Sequence, residues 1–212
     1  SESAKKIFDD MFPGLAEKTH VFHNIVNAAE VRRLAGEYTV DKNDGAVQIC
    51  TVGRVTRQKA PDVAVLTARR LKERGFNFEW NFIGSDNMLD ECREMTARIG
   101  VDDCMHFPGL KANPYPYMAA ADVYVQPSRY EGYCITLAEA RLFGMPVVCT
   151  PFSGSEQVAS QPNAQIVKLD PDTLADAIIH AAAMPRVQPP RSVSNTEDIN
   201  LLSDLCFPLN KH

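Results

Sequence analysis

From residue 46 to residue 169 the chain repeats one alternation: a short run of β-branched and aromatic residues, a Gly, Pro or Asp break, then usually a stretch with helical spacing. Six such runs stand out: VQICTVGRV (47–55), FNFEWNFIG (76–84), CMHFPG (104–109), DVYVQPS (122–128), PVVCT (146–150) and AQIVKL (164–169). Largely apolar strands joined through helices call for a parallel sheet, because each crossover lays its helix on one face of the sheet. Residues 60–75 place Val63, Leu66, Ala68 and Leu71 near one helical face and stop at Gly75, while residues 86–100 do so with Met88, Cys92, Met95 and Ile99 and stop at Gly100. The expected fold is α/β, a Rossmann-like three-layer sandwich with a parallel sheet. In such a fold ligands sit outside the carboxyl ends of the strands.

The two ends break the rhythm. Residues 1–40 suggest a helix, a short strand at HVFHNI (20–25) and a second helix, followed by a polar stretch at 41–45. MPRVQPPRSVS (184–194) carries too much Pro for regular structure and leads to an expected last helix over 196–207. Three parts result: residues 1–40, the end of a preceding domain and the crossing from it; residues 41–185, the Rossmann-like unit; and residues 186–212, a connecting segment and C-terminal helix. A 45% hydrophobic and 23% charged composition is that of a globular chain. A net charge of −5 argues against general affinity for nucleic acid or anionic lipid, so any anion must meet a local site. No stretch approaches the roughly 20 apolar residues needed to cross a bilayer, so direct membrane insertion is not expected. Cys50, Cys92, Cys104, Cys134, Cys149 and Cys206 lie in apolar runs without C-x-x-C or zinc-site spacing. They read as the reduced thiols of a cytoplasmic protein, with any approach to a membrane face made through the preceding domain.

Two strand-end loops carry residues suited to chemistry. After the first run come Gly53, Arg54 and, five residues on, Lys59: a glycine that permits close backbone approach, then a guanidinium and an ammonium that suit a diphosphate. Taken alone, such a pair is more often two solvated surface charges. The second loop follows DVYVQPS and runs from Arg129 through Glu131 and Gly132 into a helix expected at 136–143, which carries Glu139. In a parallel sheet both loops open on one edge, and the free N–H groups of the new helix add to the cations. Glu131 and Glu139 would lie roughly 12 Å apart along a helix. That exceeds the separation of a glycosidase pair, about 5 to 9.5 Å, and suits two separated parts of a long ligand. Glu139 could also be an ordinary helix-surface residue, although Leu137, Ala138, Ala140 and Leu142 around it are apolar. Asp170-Pro171-Asp172 has the form of a metal-binding triplet but stands where Asp and Pro start helices, so no metal is expected. His20, His23, His106 and His180 are scattered and receive no catalytic role.

Gly53, Arg54 and Lys59, followed by Glu131, Gly132, Leu137, Glu139, Ala140, Gly144, Pro146, Val147 and Val148, resemble in order and spacing the family 4 type retaining glycosyltransferases of GT-B fold. The C-terminal domain of that family carries G-R-x4-K and later E-G-F-G-x3-L-E-A-x3-G-x-P-V-V. TPFSGSEQV (150–158), with Gly154 close to Glu156, is similar to the family's Gly-x-x-Glu turn, and HVFHN (20–24) to the strand-then-Asn signal at its domain crossing. The resemblance implies one half of a GT-B enzyme, the donor-binding domain. It would move a sugar from a nucleotide diphosphate sugar, such as a UDP- or GDP-sugar, to a glycan, lipid or small-molecule acceptor. Retention of configuration, no metal or other cofactor, and an acceptor held by an N-terminal domain absent from these residues are implied as well. The 212 residues alone would then bind donor without transferring sugar.

By the same resemblance, Glu131 contacts the donor sugar at the reacting centre, Arg54 and Lys59 beside Gly53 neutralise the diphosphate, and Glu139 accepts from the ribose hydroxyls. The backbone of Gly132, Tyr133, Cys134, Ile135 and Thr136 holds sugar hydroxyls and phosphate, while Gly84, Phe107 and Pro108 lodge the base. Cys134 and Ala60 stand where the family often has Gly, Tyr133 where it has Phe, and Gly84-Ser85-Asp86 lacks a second Gly, with Asp86 read as a helix cap. Two alternatives are a non-catalytic nucleotide-sugar-binding module, against which the retained glutamates and cations speak, and a sugar-nucleotide epimerase of the same fold class, which would lack the EGYC loop. No G-x-G-x-x-G follows any strand, which disfavours a dinucleotide-dependent oxidoreductase.

Overall fold

The computed structural model describes residues 2–21, 24–191 and 193. All six expected runs form strands: β1 Val47–Val52, β2 Phe78–Ile83, β3 Met105–Gly109, β4 Val123–Gln126, β5 Val147–Cys149 and β6 Ala164–Ile166. They pair in parallel in the order β3-β2-β1-β4-β5-β6. The chain winds outward from β1 to β3, then returns to lay β4 beside β1. That reversal opens a crevice at the carboxyl ends of β1 and β4.

Seven α-helices lie among the described residues: α1 Glu2–Met11, α2 Ala28–Ala35, α3 Pro61–Glu73, α4 Leu89–Ile99, α5 Tyr115–Ala120, α6 Ile135–Arg141 and α7 Pro171–Ala182. Strand alternation sorts the side chains between two faces. Ile49, Trp80, Phe82, Met105 and Val125 join Val63, Leu71, Cys92, Leu174 and Ile178 from α3, α4 and α7 in one core. Cys50, Val52, Ile83, Tyr124 and Cys149 meet Met118, Leu137 and Ala140 from α5 and α6 on the other. Each fully buried large side chain contributes on the order of 1.5–3 kcal/mol of transfer free energy. Buried polar groups are paired across strands: the Trp80 indole donates to Thr51 Oγ1 (3.1 Å), whose hydroxyl donates to the Val125 carbonyl (2.6 Å). Neither group is left with the desolvation cost of a missing partner.

Local chemistry sets the helix limits. α3 opens with Pro61 directly after Ala60, which sits at φ 50, ψ 48. Left-handed backbone costs an L residue about 1–2 kcal/mol, so Ala60 stands where a glycine would fit without strain. α4 begins at Leu89, later than expected, and Asp86 is not its cap. Met88 occupies the cap position without a side-chain bond, while Asp86 Oδ1 closes a local turn by accepting from the Asn87 N–H (2.8 Å). Asp170 caps α7 by accepting from the Thr173 N–H (2.9 Å), with Pro171 in the first turn, so the Asp-Pro-Asp triplet is a helix start.

At the amino end, α1 is followed by a 3-10 turn at Pro13–Lys18. The described residues of 20–25 form no strand, and Phe22 and His23 lie outside the described residues. Asn27 caps α2, and Val26 and Val31 pack on Ala138 and Leu142 at α6, so this segment shares the core of the sheet unit. Residues 185–191 are irregular, as their prolines require, and are tied back by the Val187 N–H donating to the Gly144 carbonyl (2.8 Å). The helix expected over 196–207 and Cys206 fall outside the described residues. The other five cysteines carry free thiols, all but Cys104 buried. Among the described residues no helix is long and apolar enough to cross a membrane.

Candidate functional site

The expected loops meet in the crevice. Lys59 ends the 3-10 turn Arg57–Lys59 after β1, and its ammonium lies 2.6 Å from Glu131 Oε1 in the loop after β4. Both side chains are nearly enclosed, 11% and 7% exposed, so this ion pair is shielded from the solvent screening that weakens surface pairs. Ser128 donates to the same Glu131 oxygen (2.6 Å), and Gln58 Nε2 donates to the other (3.2 Å) and to the Tyr130 carbonyl (3.1 Å). Arg54 is exposed at the rim and donates to Gln58 Oε1 (3.3 Å). Gln58 therefore links the arginine of one loop to the glutamate of the other.

A buried polar chain supports Glu131 from below. The Tyr124 hydroxyl donates to Gln126 Oε1 (2.9 Å), and Gln126 Nε2 donates to Ser128 Oγ (2.9 Å). Arg129, bidentate to Asp62 at 2.9 and 2.7 Å, fixes the loop to the start of α3. Burial pushes the Asp62 carboxyl up, but the Arg129 hydrogen bond and charge, together with backbone hydrogen bonds at Val63 and Asp62, hold it below the ordinary range. No sequence motif singles out Gln58, Ser128 and Gln126. Their signal is polar residues at the end of an apolar strand run, and Gln58 gains meaning only once β1 and β4 are neighbours.

Glu139 lies on α6 behind this cluster. Burial raises its carboxyl above the usual range, partly opposed by the Tyr115 hydroxyl, which donates to Oε1 at 2.8 Å. Cys134 is buried at the cap position of α6, with its thiol 3.9 Å from the Lys59 ammonium and 3.4 Å from Thr136 Oγ1. Gly132 and Ile135 are exposed, and Tyr133 and Thr136 half-buried, along the same loop and first helical turn. The loop after β5 closes over it: a Cβ on Gly154 would lie 3.1 Å from the Gly132 carbonyl, and the Gly154 N–H donates to Glu156 Oε2 (2.8 Å).

Beside the ion pair, a cavity of about 230 Å³ opens at the ends of β1 and β2, lined by Gly53, Arg54, Gly84, Ser85, Leu110 and Lys111 among others. Gly84 takes φ +154, and a Cβ there would stand 1.9 Å from the Gly53 carbonyl oxygen. Phe107 and Pro108 do not line this cavity. The Phe107 ring is buried against Phe82 with centroids 5.4 Å apart, because it shares the core-facing parity of Met105, and its carbonyl accepts from Arg93. Leu110 and Lys111 line the cavity instead. Among the described residues no three His, Cys, Asp or Glu side chains gather to hold a metal ion.

A family model described as "Glycosyl transferases group 1" matches residues 46–183, the stretch that builds this sheet and crevice. The chain is 24% identical over 155 residues to the uncharacterized glycosyltransferase MJ1059 of Methanocaldococcus jannaschii, covering 71% of this chain and 38% of that protein. It is 31% identical over 116 residues to the amylovoran biosynthesis glycosyltransferase AmsK of Erwinia amylovora, covering 51% and 28%. Among solved structures, Anabaena Alr3699/HepE in complex with UDP superposes with a TM-score of 0.70 at 18% identity, covering 98% of this chain and 58% of that one. Sucrose-phosphate synthase from Thermosynechococcus elongatus gives 0.71 at 21%, covering 90% and 52%. The chain thus spans less than half the length of these two curated relatives.

Proposed function

Since the chain belongs to the group 1 glycosyl transferases, we propose that it is the donor-binding half of a GT-B enzyme that transfers a sugar from a nucleotide diphosphate sugar with retention. The observation that carries this reading is the convergence of Lys59 and Glu131 from two strand-end loops at the point where the strand order reverses. A diphosphate entering there competes with Glu131 for the Lys59 ammonium and draws in the exposed Arg54. The two cations then stabilise charge on the departing nucleotide without a metal. Glu131, released from Lys59, faces the sugar, and Glu139 accepts from the ribose. The cavity beside Gly84 receives the base, with the exposed Leu110 as an apolar wall. The complexes of HepE with UDP and with UDP-glucose support a uridine nucleotide as the first donor to test.

Acceptor binding is assigned to a second domain outside these residues, consistent with the greater length of the relatives. Cytoplasmic location follows from the same reading, because nucleotide sugars with free thiols alongside suit that compartment. Calorimetric titration with UDP, UDP-glucose and GDP-mannose tests the donor site. Saturable binding of one of them, weakened at least tenfold in Arg54→Ala and Lys59→Ala, is the expected result. Unchanged binding in both variants would reject the diphosphate assignment.

A further inference from the structure

On the α5 and α6 side of the sheet, the strands run out from under their helices toward β3. Over β1, β4 and β5 that face is apolar, with Cys50, Val52, Tyr124 and Cys149 packed beneath Met118 and Leu137. Farther out, the same face carries Gln48, Glu79, Asn81 and His106, with Gln48 opposite Glu79 and Asn81 opposite His106 in the strand register. Residues 38–43 line, together with them, an open cavity of about 600 Å³. Gln48 precedes Gly53 by five residues, about 16 Å at 3.3 Å per residue, so this cavity is separate from the nucleotide crevice.

The lining has a definite chemistry. Glu79 is bound on both oxygens, by Asn43 Nδ2 (3.3 Å) and by His106 Nε2. The Asn81 carboxamide and the Tyr117 hydroxyl line the cavity without a hydrogen-bond partner among the described residues. The Tyr117 ring stands edge-on to Tyr38, with centroids 6.4 Å apart at 75°. Among the described residues Lys42 is the one Lys or Arg in the lining, beside Asp41 and Glu79, and both Glu79 oxygens are already engaged by Asn43 and His106. A phosphate finds no excess of cations here. Planar amides offer in-plane donors and acceptors of the kind adjacent hydroxyls satisfy, and tyrosine rings offer an apolar surface for the C–H face of a pyranose. The volume falls within the usual range of about 300–1,000 Å³ for small-ligand pockets.

We propose that this cavity binds a neutral oligosaccharide segment of two or three hexopyranose units. It would hold a glycan chain on the body of the protein, apart from the donor. The assignment stands on the lining chemistry and does not depend on the nucleotide reading.

The test is heteronuclear NMR on the full 15N-labelled chain, titrated separately with maltotriose, cellotriose and UDP. Saturable shifts of the amides of 38–43, 79–81 and 106 are expected with at least one trisaccharide. UDP should move a different set around 53–59 and leave trisaccharide affinity unchanged. Asn81→Leu should abolish the trisaccharide shifts, and Tyr117→Phe should weaken binding about fivefold by removing one hydrogen bond. No saturable shift at those amides with either trisaccharide overturns the proposal, as does competition with UDP. Shifts undiminished in Asn81→Leu overturn it too; if that variant loses its dispersed spectrum, undiminished binding by Tyr117→Phe decides in the same sense.

Discussion

Replacing Gly84 by alanine would force apart the two backbones that shape the crevice proposed to take the nucleotide. At φ +154 the new Cβ would stand 1.9 Å from the Gly53 carbonyl oxygen and 2.9 Å from its carbon. Carbon and oxygen rest at about 3.3 Å even in a favourable C–H···O contact, so one backbone must withdraw by about 1.4 Å. Gly53 has little room to yield, because its N–H donates to the Ile83 carbonyl (3.0 Å) and its own Cβ position lies 3.0 Å from Lys59 Cε. Moving it carries Arg54 along and presses on the chain of Lys59. A misplacement of about 1 Å is enough to cost on the order of a hundredfold in a positioned reaction, and a loss of at least tenfold in UDP affinity, about 1.4 kcal/mol, is expected here. A lowered melting temperature should accompany it, since overpacking costs about 1–3 kcal/mol. Gly132→Ala is the comparison: a Cβ there meets nothing within 4 Å, so native stability is expected although the residue follows Glu131 directly. Calorimetry with UDP and thermal unfolding on both variants read the two effects. A folded Gly84→Ala protein with wild-type affinity would refute the claim that the Gly53–Gly84 contact positions the phosphate cations.

Two further substitutions address the charges. Glu131→Gln frees the Lys59 ammonium, so UDP should bind about threefold to tenfold more tightly while melting falls. Lys59→Met leaves a buried carboxylate uncompensated, costs about 3 kcal/mol of stability, and should weaken UDP binding at least tenfold, as Lys59→Ala does. Equal UDP affinity in Glu131→Gln and wild type would show that Lys59 does not serve the phosphate. Glu139 supplies a pH test. Its raised carboxyl means that the folded state holds the proton more tightly than the unfolded chain, so stability falls as pH rises from the ordinary glutamate range through the folded value. Tyr115→Phe removes the hydrogen bond that lowers it, which should move that fall, and the onset of UDP binding, to higher pH. Glu139→Gln should flatten the stability profile, and identical pH profiles for all three proteins would reject the Tyr115 to Glu139 link.

The difference between what was legible in the sequence and what was not follows from the range of the forces involved. Strands and helices were legible because their apolar periods are local, and the spacing of Glu131, Glu139, Arg54 and Lys59 survives as a linear pattern. Gln58 contacts Glu131 only because β4 lies beside β1, a pairing between residues about seventy positions apart that no local period encodes. Strand parity sets the Phe107 ring with Met105 on the core side, so its side chain packs inward and does not line the cavity beside Gly84. The same period bears on β2. In FEWNF, Phe78, Trp80 and Phe82 point to one core, while Glu79 and Asn81 require the opposite face to be polar. A strand central to a doubly covered sheet has no reason to alternate so strictly. The alternation is therefore a sign, present in the sequence, that this face is not covered as the opposite one is; among the described residues it lines the cavity over Gln48, Glu79, Asn81 and His106.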